Sequence, residues 1–201
     1  MPSVREFLAA LASGMPVPGG GAAAARCGAM AAALVAMVGR VTVGRGVSTE
    51  GEARAVVARG DELERRLTGL VTEDVDAYLS VVAARRSGGS RDAMAGALAR
   101  ATEVPMALAT ASRDVLALGA ILAPVARRSA LSDLAVAGAL AWGALESGAL
   151  TARANLAEVA DPAFVRTCER ELSGLLAQGQ DARGRLAEAT RARRSMPPSP
   201  S

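Results

Sequence analysis

The chain has 201 residues, half of them hydrophobic, and a net charge of only +3 with Arg and acidic residues interspersed. It has no histidine, and all 23 of its basic residues are arginine, which excludes Ser-His-Asp and Cys-His catalysis, His-ligated metals, Schiff bases and any P-loop lysine. One Trp, one Tyr and two Phe give no stacking platform for nucleic acid, and the Ala, Leu, Val and Gly that dominate instead favour helix over strand.

The predicted class is therefore all-α, an up-and-down bundle of about five to six long helices, with residues 1–192 one helical domain and 193–201 a disordered tail. Ser3 to Glu6 forms a capping box for a short helix ending near Ala12. A loop follows from Ser13 to Gly20, holding Pro18 and leading through the run Gly19-Gly20-Gly21 into the next helix. The second helix covers about 21–43, with Ala24, Gly28, Ala32 and Ala36 in a stripe that admits close neighbours, within the fold and between subunits. After a turn at Gly44–Ser48, a capping box at Thr49–Glu52 opens a third helix reaching Arg86, with Gly69 a candidate kink. The break Ser87–Ser90 precedes a fourth helix from Arg91 to Leu122, kinked or interrupted at Pro105. Ser132 is the expected cap of a fifth helix to about Ala160, and Asp161-Pro162 opens a sixth, running to about Arg191.

The longest uncharged runs inside the apolar segments, 27–39, 115–126 and 134–145, fall short of the roughly 18–20 residues that a membrane span needs, so these helices are expected to be core. The opening MPSVREFL has no signal-peptide core, and a cytoplasmic protein without a membrane partner is expected. Cys27 and Cys168 match no metal or redox spacing.

Carboxylates, hydroxyls, Tyr78, thiols, guanidinium groups and backbone dipoles are what remains for chemistry. Four places could use them. Pro18–Gly21 reads as a helix corner, or as bare backbone placing a helix N-terminus against an anion; its spacing is neither a dinucleotide fingerprint nor a Walker motif. In Glu73–Tyr78, Asp74 and Tyr78 share a helix face while Asp76 points elsewhere. That face is either solvated or a groove with a carboxylate for acid, base or cation-stabilising work. Asp133, at a helix start, either complements the helix dipole or binds a ligand. Thr151, Arg153 and Asn155 are either interface hydrogen bonds or ligand contacts.

Four stretches, taken in order, resemble the formiminotetrahydrofolate cyclodeaminase and methenyltetrahydrofolate cyclohydrolase family. They are PVPGGGAAAARCGAMAAALVAMVGRVTVG with Val38, Thr42 and Gly44 closing it, EDVDAYLSVVAARR, ATEVPMALA at 101–109, and the segment 132–164 from SDLAV to NLAEVADPAF. The resemblance implies an all-α homodimer or higher assembly that binds a reduced folate and needs neither metal nor other cofactor. It implies ring closure of 5-formiminotetrahydrofolate with loss of ammonia, or hydrolysis of 5,10-methenyltetrahydrofolate to 10-formyltetrahydrofolate. It matches the family's catalytic Asp to Asp74, with Asp76 second. It implies substrate contacts from Pro18, Gly19, Gly20, Gly21, Arg91, Asp133 and Asn155. The chain departs from the pattern where Arg86-Ser87 replaces a Pro-Lys pair, Ala22 a Ser and Thr151 an Asn. Those departures leave room for a divergent member acting on another imine or amidine, or for a non-catalytic helical ligand-binding protein.

Overall fold

The structure, a computed structural model, describes residues 3–43, 50–88 and 90–195. Gly44 of the second-helix motif, the 44–48 turn, the Thr49 capping position and residues 196–201 lie outside them. The described residues form α1 (Val4–Leu11), α2 (Gly20–Thr42), α3 (Glu50–Arg86), α4 (Arg91–Leu122), α5 (Leu131–Leu156) and α6 (Pro162–Ser195), with a 3₁₀ turn at Arg128–Ala130 and no strand. The all-α bundle is as expected. Long helices joined by short connections must lie antiparallel, and α2 packs on α3 and α5 while α4 packs on α3, α5 and α6.

Local signals start several of these helices. Ser3 Oγ accepts from the Glu6 N–H at 3.2 Å, and Glu6 Oε2 accepts in return from the Ser3 N–H at 2.7 Å, completing the box that opens α1. Ser90 caps α4 by accepting from the Ala93 N–H, and Asp161 accepts from the Ala163 N–H at 2.8 Å where α6 begins. Ser132 does not cap α5. The 3₁₀ turn brings the chain into helix earlier, Ala130 takes the N-cap position, and Ser132 is an exposed residue of the first turn. Helix α5 also ends at Leu156 rather than Ala160. Pro105 does not interrupt α4, which continues through it.

Small side chains set the spacing. Ala24, Gly28, Ala32 and Ala36 are all buried in α2. A Cβ on Gly28 would lie 3.0 Å from Leu67 and 3.4 Å from Ala144, and one on Gly60 would lie 3.1 Å from the Ala36 side chain. The stripe is consumed inside the bundle by α3 and α5, which corrects the expectation that it also serves subunit contacts. The uncharged runs sit within longer helices, and α2, α4 and the 128–156 segment reach the length and apolarity of a span. Buried shares of their most apolar windows are 56%, 56% and 44%, so about half of that surface is taken up by neighbouring helices.

Candidate functional site

At one end of the bundle a cavity of about 300 Å³ opens between the Pro16–Gly21 loop, α3, α4 and the C-terminal end of α5. Its charged residues are Asp74, Arg85 and Glu158. Helical spacing along α3 aligns Asp74, Ala77, Tyr78, Val81 and Arg85 on its wall, Leu98 and Ala101 come from α4, and Thr151 and Asn155 from α5.

Gly21, in the first turn of α2, has a specific use. A Cβ on Gly21 would lie 2.1 Å from Asp74 Oδ1 and 2.7 Å from its Cγ. The carboxylate therefore rests where any other side chain would begin, against the first turn of α2. Burial raises the pKa of Asp74 above its ordinary value of 3.8, and the Ala22 N–H opposes that by bonding the charged form. The Asp74 carboxylate thus stands at the start of α2.

The remaining polar groups are disposed unequally. Thr151 Oγ1 donates to the Ser147 carbonyl at 2.9 Å, one turn back in its own helix. Asn155 Nδ2 donates to the Ala101 carbonyl of α4. Arg85 pairs with Glu158 across the cavity's edge, both side chains about half exposed at 52%. Tyr78, 42% exposed, presents its ring on the Asp74 face as the four-residue spacing predicts.

Of the residues singled out in the sequence, the cavity gathers Gly19, Gly20, Gly21, Asp74 and Asn155. Pro18 lies beside its lining residues without being one. Asp76 is on the exposed face of α3, outside the cavity. Arg91 is exposed on the first turn of α4, seven residues before Leu98 and so about 10 Å from it along the axis. Asp133 stands in the first turn of α5, 22 residues before Asn155 and about 33 Å away. Neither joins the cavity of its own chain. Arg85 and Glu158 went unassigned in the sequence because their pairing spans 73 residues; the arginine pair after the Tyr78 segment was the only sign of it. Among the described residues no group of three or more His, Cys, Asp or Glu could hold a metal ion.

Comparison with known proteins bears on the same chain length. A family profile described as formiminotransferase-cyclodeaminase matches residues 3–174. The chain is 36% identical to a methenyltetrahydrofolate cyclohydrolase of Methylorubrum extorquens, over 95% of this chain and 97% of that protein. It is 30% identical to the formimidoyltransferase-cyclodeaminase of Rattus norvegicus over 89% of this chain, spanning 35% of the rat protein's length. The solved structure of a formiminotetrahydrofolate cyclodeaminase from Thermotoga maritima superposes with a TM-score of 0.90 at 28% identity, covering 95% of this chain and 96% of that one.

Proposed function

The chain belongs to the formiminotransferase-cyclodeaminase family, and from that membership we propose that it is a folate one-carbon enzyme that hydrolyses 5,10-methenyltetrahydrofolate to 10-formyltetrahydrofolate. The observation that carries the reading is the half-buried Asp74 carboxyl against Gly21, lining a cavity whose walls mix apolar residues with Tyr78, Thr151, Asn155 and the Arg85–Glu158 pair. The substrate bears its positive charge on an N–C–N unit, and a carboxylate removed from bulk water stabilises such a cation more than a solvated one does. Water adds to the central carbon, Asp74 takes its proton, the carbon–N5 bond breaks, and N5 receives a proton. One proton is released overall. No oxidation state changes, so the reading assigns no role to a redox cofactor. The near full-length match to a named cyclohydrolase favours hydrolysis.

A second reading rests on the likeness to the Thermotoga maritima cyclodeaminase. Here N10 of 5-formiminotetrahydrofolate attacks the formimino carbon, and the same carboxyl supplies the proton with which ammonia leaves. The two readings part in one experiment, following near-ultraviolet absorbance with each substrate. Hydrolysis consumes the methenyl absorbance faster than the uncatalysed background, whereas cyclodeamination generates it together with ammonia. If the protein accelerates neither, the folate reading is overturned.

The reading extends to assembly and location. The outer face of α2 carries exposed Met30, Met37 and Val41 at helical spacing, a surface suited to a second copy of the chain. Both cysteines are free thiols, which suits a reducing, cytoplasmic compartment.

A further inference from the structure

Pro105 lies inside α4 and is itself buried. A proline has no N–H, so the carbonyl one turn earlier, that of Ala101, loses the intrahelical donor it would otherwise have. Ala101 is only 8% exposed, and a buried carbonyl without a partner costs free energy comparable to a lost hydrogen bond. The missing donor comes from another helix, as Asn155 Nδ2 of α5 bonds the Ala101 oxygen.

The packing of α4 on α5 makes that reach possible. A Cβ on Gly148 would stand 2.9 Å from the Pro105 oxygen and 3.0 Å from the Ala109 nitrogen, so the two backbones touch there. Two turns further along α5, Asn155 faces α4 one turn before Pro105. Because a carbonyl oxygen only accepts, the carboxamide can meet it in one orientation, amide nitrogen inward and Oδ1 away. Asn155 lines the Asp74 cavity, and its Oδ1 is not among the sealed polar atoms that lack a partner.

We propose that Pro105 is a positioning residue for the cavity: the donor gap it leaves in α4 locks Asn155 so that its carboxamide oxygen is presented as an acceptor to a substrate N–H. The proposal rests on the folate reading, under which that N–H belongs to the reduced pterin ring. It gives a use to the helix breaker within α4, and a reason for the residue answering it to be an amide. An aspartate at 155 would offer the Ala101 carbonyl no donor at neutral pH.

The test is a double-variant cycle on the intact protein, combining Pro105→Ala with Asn155→Ala and reading both kinetics with methenyltetrahydrofolate and urea unfolding. Asn155→Ala raises KM about tenfold, the size of one lost hydrogen bond, with most of the effect in KM rather than kcat. Pro105→Ala restores an N–H to Ala101 and frees the amide, raising KM about threefold. The double variant is no worse than Asn155→Ala alone. In unfolding, Asn155→Ala lowers the urea midpoint when residue 105 is Pro and leaves it nearly unchanged when residue 105 is Ala. Additive midpoint shifts overturn the hydrogen-bond replacement. Coupled midpoints with an unaltered KM in Pro105→Ala, or KM effects that multiply, overturn the positioning role while leaving the folate reading intact. If the wild-type protein turns over no reduced folate, that reading falls and takes the substrate half of this proposal with it.

Discussion

Asp74 gains its character from two opposing contacts. Burial disfavours its charged form and the Ala22 N–H favours it, with burial the larger effect. The direction fixes two pH dependences. If the ionised carboxylate takes a proton from water, kcat/KM falls as pH is lowered through a value above the ordinary 3.8. A pH–rate profile should show that acid limb in the wild type and lose it in Asp74→Asn. For stability the sign is the opposite of a salt-bridged carboxylate. A pKa raised by folding gives a contribution present below the unfolded value and lost as pH rises through the folded one. Asp74→Asn is therefore expected to melt at or above the wild-type temperature at pH 7, with the advantage shrinking as pH falls through the raised folded value and gone below the ordinary 3.8. A lower melting temperature at pH 7 would mean that the Ala22 contact outweighs burial.

Elements meet here through glycine and proline, and the extent to which the sequence revealed them follows from distance along the chain. The Asp74–Tyr78 face was legible because i,i+4 spacing is local, and the glycine run announced a close backbone approach. What approached was not legible, since Gly21 and Asp74 are 53 positions apart and only the packing of α2 on α3 joins them. Pro105 likewise signals an orphan carbonyl at 101, but the side chain that answers it lies 54 residues on. Ser132 misled because a 3₁₀ turn, with no strong local signal, had already begun the helix. The α2–α3 contact makes its own prediction. Gly21→Ala puts a methyl carbon onto the Asp74 carboxylate, so it should cost about 1–3 kcal/mol of stability and reduce kcat about a hundredfold by moving the acid–base group. Chemical denaturation and steady-state kinetics would check both, and a fully active Gly21→Ala protein would contradict the packing.

Around an interior built of Ala, Gly, Leu and Val, the molecule leaves an apolar strip on the outer face of α2 among other exposed apolar side chains. Close helix approach consumes the small residues, leaving Met30, Met37 and Val41 outside. Met37→Glu is accordingly expected to convert a species of twice the chain mass to a monomer in sedimentation. A wild-type monomer would leave that strip without the role given to it. The fold places the Asp74 carboxyl in this cavity beside the ion-paired Glu158, and the proposed chemistry depends on the placement of Asp74. Its most direct test is saturating turnover of 5,10-methenyltetrahydrofolate by wild type and Asp74→Asn, with affinity for the folate measured on both. The account predicts affinity within a few-fold and turnover lower by about a hundredfold or more in the variant. Equal turnover at equal affinity would contradict it.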